Sequence, residues 1–245
     1  MRQTPDLDRY RLSFDSVAEA YERSRPEYAP DALAWIAHRL RLGRVLDLGA
    51  GTGKLTRQLV ALGADIVAIE PGDEMRAVLA TAVPGVDFRA GSAEAIPLED
   101  ASVDAITIGQ AFHWFRVDEA LPEMHRVLRP GGSFALLWNE WDEDDTLMLA
   151  LNEVVNTLRR QGTHGGRHYE ELEATPLFGG REERSFHHAD ELEADVAVER
   201  ISSVSALAAA EPRDRERALD EVRKLVGAGT VRFPMITKVY VADRV

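Results

Sequence analysis

Closely spaced glycines with a carboxylate on either side of them are the feature of this sequence best suited to chemistry. The stretch VLDLGAGTGK, residues 45–54, runs an apolar segment into Gly49, Gly51 and Gly53, and a helical pattern opens directly behind them. Glycine tolerates positive φ and lets a ligand lie against the backbone, and the helix start beyond it offers N–H groups with no intrahelical partner. Where such a turn follows the first strand of a doubly wound sheet, it sits at the crevice that binds ligands. Asp47 stands two residues before the glycines, and Glu70 closes the next apolar run, nineteen residues beyond Gly51. A carboxylate so placed can accept both hydroxyl hydrogens of a ribose, so turn and acid together point to a nucleoside site.

Three classes of ligand compete for it. A phosphate-binding loop G-x-x-x-x-G-K-[ST] would end at Gly53 and Lys54, but Leu48 occupies its first glycine position and Leu55 its hydroxyl position. A dinucleotide turn G-x-G-x-x-G begun at Gly49 puts Lys54 where a third glycine lets helix and strand pack closely. Asp47 would also repel a pyrophosphate. A nucleoside with positive charge and no phosphate suits both acids, and S-adenosylmethionine, with its ammonium and sulfonium centres, is such a ligand. Taken alone, Asp47 also reads as a carboxylate that braces the loop or caps the helix.

The elements that must hold these residues follow from hydrophobic periodicity. Short apolar runs at 45–48, 66–69, 86–88, 103–108 and 134–138 read as strands, and amphipathic stretches at 54–63, 73–82 and 116–128 separate most of them as helices. Strands apolar on both faces and alternating with helices predict a parallel, doubly wound sheet. Residues 1–43 read as a mostly helical lead-in, and beyond residue 139 come helices over 146–160, 196–210 and 213–226 and strands over 181–188 and 231–242. With 45% hydrophobic residues the 245-residue chain can bury a sizeable core. Its 42 acidic against 29 basic side chains, a net charge of −13, oppose the positive footprint a nucleic-acid partner demands. The absence of cysteine excludes disulfides, thiolate nucleophiles and cysteine-ligated zinc. The longest aliphatic-aromatic run, Phe134 to Trp138, is far shorter than the roughly 18–20 residues of a membrane span, and the polar N-terminus lacks an apolar signal core. A soluble, cytoplasmic protein with no membrane partner is expected.

VLDLGAGTGKLT, followed by AIEPGDEM, GSAEAIPLEDASVDAI and GQAFHWF, resembles a class I S-adenosylmethionine-dependent methyltransferase. Residues 10–140 are similar to small-molecule enzymes of the ubiquinone/menaquinone and trans-aconitate methyltransferase groups. That resemblance implies an α/β, Rossmann-like, seven-stranded and mostly parallel sheet, with an antiparallel C-terminal strand pair and a helical cap. A single domain over 1–245 is expected, with a lid at 1–43 and cap elements at 142–178 and 196–228. It further implies that Asp47, Gly49, Ala50 and Gly51 cradle the methionine part of the cofactor, that Glu70 and Pro71 meet the ribose, and that Met75 lies near the adenosine. Ser92, Ala93 and Glu94 match the loop edging the adenine, although Asp is usual at the position of Ser92. Gln110 is expected beside the methionine arm, and Tyr21 and Arg25 are expected to reach the cofactor from the lid. S-adenosylhomocysteine is then the product.

Methyl transfer by in-line displacement asks mainly for alignment and a dry pocket. A base is needed only for an acceptor that arrives protonated, and His113 in QAFHWF is the candidate, with capping or bracing of its loop as the other reading. Trp114, Trp138 and Trp141 are placed to wall the acceptor pocket or to pack helices on the sheet, and for Phe115 packing is preferred. Glu140, Asp142, Glu143, Asp144 and Asp145 read as acids favouring a helix N-terminus rather than a metal site. His187 and His188 point to opposite faces if their segment is a strand. The loop from Arg159 to His168 is a basic island, read either as a solvated loop or as an attractor of a carboxylate-bearing acceptor. Two alternatives stay open: a nicotinamide oxidoreductase, and a non-catalytic module that binds S-adenosylmethionine.

Overall fold

The computed structural model describes residue 22 and residues 25–40, 43–158 and 169–245. Tyr21, most of the expected lid and the basic loop 159–168 lie outside the described residues. In chain order the elements are α1 (Pro30–Leu40), β1 (Arg44–Leu48), α2 (Lys54–Ala61), β2 (Asp65–Ile69), α3 (Asp73–Ala82), β3 (Asp87–Arg89) and β4 (Val103–Gly109). A 3-10 turn (Phe112–Trp114) leads to α4 (Val117–Val127), β5 (Leu128–Trp141), α5 (Thr146–Asn156), α6 (Tyr169–Ala174), β6 (Phe178–Glu193), α7 (Ala194–Ser202), α8 (Ser205–Ala208), α9 (Pro212–Val226) and β7 (Thr230–Arg244).

The seven strands form one sheet in the order β3-β2-β1-β4-β5-β7-β6. The first five pair in parallel, and β7 runs antiparallel between β5 and β6. This is the Rossmann-like arrangement expected. Side chains alternate across each strand: Leu46 and Leu48 of β1 join Ile106, Phe134 and Leu136 under α4, whereas Val45 joins Ala105, Leu137 and Val239 under α1 and α2. Asp47 shares the second face and sits beside Thr107 of β4 in the parallel register.

Several boundaries depart from expectation, among them β5, which spans Leu128–Trp141 rather than 134–138. β6 extends over Phe178–Glu193 rather than 181–188, pairing with β7 as far as Glu193 with Thr230. It is an edge strand with one flank open to water, so its polar end carries no apolar signal. The helix expected over 196–210 is broken after Ser202, where the Ser202 and Ser203 hydroxyls donate to the carbonyls of Glu199 and Arg200 at 2.8 and 2.7 Å. Serine hydroxyls that compete in this way favour helix ends. The apolar faces of α5, α7 and α9 close with Phe233 and Met235 of β7 into a third cluster. On α9 the expected outer face of charges is present, Arg223 pairing with Asp220 at 2.7 Å and Lys224 with Glu221 at 2.7 Å.

Candidate active site

At the C-terminal ends of β1, β2 and β4 a cavity of about 400 Å³ opens between the sheet and the cap. Gly49 adopts φ 72° and lies so close to the next loop that a Cβ on it would stand 2.7 Å from Ala111 Cβ. Gly51, at φ 56°, has open space where its Cβ would be. Gly49→Ala is therefore expected to destabilise the protein by about 2–4 kcal/mol in urea denaturation, from left-handed strain plus overpacking. Gly51→Ala should lose about 1–2 kcal/mol, from strain alone.

Both acids face this cavity. Asp47 is 1% exposed; its Oδ2 accepts from Thr56 Oγ1 at 2.5 Å and its Oδ1 from Thr107 Oγ1 at 3.3 Å. Burial raises its pKa to about 6 against the pull of those hydroxyls, with the Glu70 charge adding to the rise. The side chain ties β1 to β4 and α2 while lining the cavity. Glu70 Oε2 accepts from Gly51 N at 3.0 Å and its Oε1 from Gly72 N at 2.9 Å. The carboxylate shapes the glycine turn directly, one oxygen on each of two backbone N–H groups.

Ala50, Pro71, Met75, Ser92 and Ala93 line the same cavity. Gln110 lines it from an unusual backbone, φ 56°, with Nε2 donating to the Asn139 carbonyl at 3.0 Å. A non-glycine residue held in this region costs about 1–3 kcal/mol and tends to mark functional positions. His113 and Trp114 follow, their ring centres 4.6 Å apart, and Trp141 completes that wall edge-on to Phe233 at 6.1 Å. Phe115 lines the cavity and also packs, T-shaped against Phe112 at 5.6 Å.

Sequence comparison gives these residues a context. The methyltransferase domain family matches residues 46–136. An uncharacterised methyltransferase of Mycobacterium tuberculosis is 39% identical over 215 residues, covering 88% of this chain and 86% of that protein. The chain is a class I S-adenosylmethionine-dependent methyltransferase. A ubiquinone/menaquinone biosynthesis C-methyltransferase of Rubrivivax gelatinosus is 36% identical over 143 residues, 53% of this chain and 55% of that one. A solved methyltransferase structure from Anaeromyxobacter dehalogenans shares the fold at a TM-score of 0.69 and 24% identity, covering 90% of this chain and 97% of that one.

Two expected site residues of the methyltransferase lie elsewhere. Trp138 is a core residue, 6% exposed in the cluster with Phe134 and Leu136, and does not line the cavity. β5 continues to Trp141, so residues 138 and 141, an odd number apart, face opposite sides of the sheet. Glu94 turns away from the cavity; its Oε1 accepts from Arg116 N at 3.0 Å at the start of α4. The acids at the end of β5 and just beyond it go to separate partners: Glu140 meets Lys238 at 2.8 Å, Asp142 meets His187 at 3.1 Å, and Asp145 caps α5 through Leu147 N and Met148 N. His188, on the other face of β6, contacts Thr237 Oγ1 at 3.2 Å, and burial lowers its pKa.

Other lining residues were not foreseen. Tyr28 closes the cavity floor, its hydroxyl against Gly109, and Asn139 binds the Glu27 carbonyl at 2.9 Å. Lys54 lines the cavity 3.8 Å from Glu22, and burial depresses its pKa. Glu22 also accepts from Thr52 at 2.6 Å and Arg57 at 2.9 Å, fastening the N-terminal segment to the glycine turn. Arg25 lines the cavity, and Arg200 enters it from α7. The lysine at 54 was visible as a misplaced glycine; nothing in local sequence marks Arg200.

Proposed function

We propose that this methyltransferase binds S-adenosylmethionine along β1, β2 and β4 and directs its methyl group to a small-molecule acceptor lying under the cap. The observation that carries this reading is the meeting of Asp47, the glycine turn, Glu70 and His113 in one cavity. The lining fits a cationic nucleoside: an acid held in a dry pocket for positive charge, a second acid at the end of β2 for ribose hydroxyls, and Met75 with Ala93 as apolar surface for a purine. Lys54 in place of a third glycine speaks against a nicotinamide dinucleotide. The likeness to a ubiquinone/menaquinone biosynthesis enzyme supports a small acceptor.

When bound, the cofactor supplies an electrophilic methyl group on a sulfonium. The chain's part is alignment. Asp47 and Gln110 orient the methionine arm, Glu70 holds the ribose, and Arg25 covers the arm from the N-terminal side. Trp114 and Trp141 exclude water on the acceptor side. His113 takes the proton from an acceptor hydroxyl or amine as the new bond forms.

The test is calorimetry with S-adenosylhomocysteine, followed by transfer of a tritiated methyl group across an acceptor panel. Tight binding with no response to NADH is expected, and the reverse preference would sink the reading. Once an acceptor is found, His113→Ala is expected to lower kcat by about 10²-fold or more, with S-adenosylhomocysteine affinity unchanged. An unaltered kcat would reduce His113 to packing on Trp114.

A further inference from the structure

Residues 26–29 belong to no helix or strand, yet Pro26 and Tyr28, with Arg25 just before them, line the cavity. Backbone outside a ladder or helix must find its hydrogen-bond partners elsewhere. Here side chains from three other elements supply them. Gln58 of α2 takes both polar groups of Tyr28, accepting from its N–H and donating to its carbonyl at 3.1 Å each. Asn139 of β5 donates from Nδ2 to the Glu27 carbonyl at 2.9 Å, and Thr237 of β7 accepts from Ala29 N at 3.0 Å. The Thr237 hydroxyl gives its own proton to Asn139 Oδ1 at 2.5 Å, so His188 Nε2, 3.2 Å away, can only donate to it. Asn139 has one more bond, its main-chain carbonyl accepting from Gln110 Nε2 at 3.0 Å.

The sheet does not ask for this polar pair. Asn139 and Thr237 are direct cross-strand partners in the antiparallel register of β5 and β7. On the same face Ala135 with Val241 and Leu137 with Val239 come before them, and Trp141 with Met235 comes after. A polar rung therefore interrupts an apolar stripe. Asparagine is poor in strands, and two β-branched side chains would pair across the rung at least as well. The start of α1 does not demand it either. Thr237 alone answers Ala29 N, next to Pro30, whereas Asn139 reaches Glu27 on the other side of Tyr28. What the pair achieves is a junction between two irregular pieces of the cavity wall, residues 26–29 and the turn at Gln110 with its φ of 56°.

We infer that Asn139 is a positioning residue for methyl transfer: with its amide fixed by Thr237, it ties the segment carrying Arg25 and Tyr28 to the turn carrying Gln110, so that the wall around the methionine arm is held in one shape before the cofactor arrives. The inference rests on the cofactor reading above, in which Gln110 and Arg25 meet that arm while Glu70, Met75 and Ala93 hold the nucleoside. Where only a fraction of the molecules hold the competent arrangement, apparent affinity falls by that fraction. Loosening Asn139 thus weakens ligands that carry the arm and spares those that lack it.

Asn139→Ala and Thr237→Val are titrated calorimetrically with S-adenosylhomocysteine and with methylthioadenosine, which has the nucleoside and the sulfur but no amino-acid arm. Thr237→Val is isosteric and keeps the strand packing should the alanine variant fold poorly. Each variant is expected to bind S-adenosylhomocysteine about tenfold more weakly or worse, the mark of a wall correctly formed about a tenth of the time. Affinity for methylthioadenosine is expected to stay within about threefold. Thr237→Ser, which keeps the hydroxyl, is expected to hold S-adenosylhomocysteine within about threefold of the wild type. Variants that lose stability in urea but bind S-adenosylhomocysteine as the wild type does would reduce the pair to a brace of α1 and overturn the inference. An equal loss for both ligands would overturn it too, as would a Thr237→Ser as weak as Thr237→Val. Wild-type protein that binds neither ligand refutes the cofactor reading and the inference with it, whereas wild-type binding matched by both variants refutes the inference alone.

Discussion

Glu70→Ala is expected to weaken S-adenosylhomocysteine binding at least about tenfold by calorimetry, the loss of one or two charge-assisted hydrogen bonds. The effect has two origins. The ribose loses its acceptor, and the Gly51 and Gly72 N–H groups lose the oxygens that now hold them at 3.0 and 2.9 Å. Glu70→Gln separates the two, because an amide oxygen can serve only one of those N–H donors and the amide nitrogen opposes the other. An intermediate affinity is expected for Gln. Affinity unchanged in the alanine variant would remove Glu70 from the cofactor site and leave it as a brace of the turn.

Asp47→Asn should move stability and binding in opposite directions. The Asp47 carboxyl titrates near 6 in the folded protein against 3.8 for the free side chain, chiefly because burial disfavours its charge. The native state therefore holds this proton more tightly than the unfolded chain, and stability falls as pH rises from about 4 to about 6. Above that window the full cost applies, an upper bound of about 3 kcal/mol from the shift alone. An asparagine keeps the shape without the charge, so urea denaturation is expected to show a gain of about 1–3 kcal/mol at neutral pH that vanishes near pH 4. A gain that does not depend on pH would rule out this origin. Binding should show the reverse trend: the ionised carboxylate is the form that attracts an ammonium, so S-adenosylhomocysteine affinity in the wild type should drop as pH falls through about 6. The asparagine variant should bind at least about tenfold more weakly at neutral pH. Unchanged affinity would limit Asp47 to clamping Thr56 and Thr107.

The two variants probe different ends of one design. Glu70 is stabilised by backbone N–H groups and exposed enough to meet a hydroxyl, whereas Asp47 is dry and costs stability until a cation arrives. Keeping such an acid in the core is the kind of local expense that a binding site explains and a packing role does not.

From sequence alone the β1 turn, the acid closing β2 and the parallel pairing of the first five strands could be read, and the antiparallel pair was implied by the family resemblance. These depend on local signals: glycine where φ is positive, apolar runs of strand length, and acids at fixed spacing along the chain. The family resemblance rests on the same contiguous residues. What lay beyond reach was decided by register and by contacts between distant segments. Trp138 and Trp141 look alike in sequence, and only the continuation of β5 through both put one in the core and the other in the cavity. Glu94 was drawn to the start of α4, 22 residues away, by an N–H without a helical partner. Arg200 became a lining residue because β6 runs on far enough for Asp190 to face α7, a consequence of strand pairing along a polar edge that leaves no mark in hydrophobic pattern. Spacing along the chain determines where a turn can bind; which side chains converge on what it binds is settled only when the sheet chooses its faces.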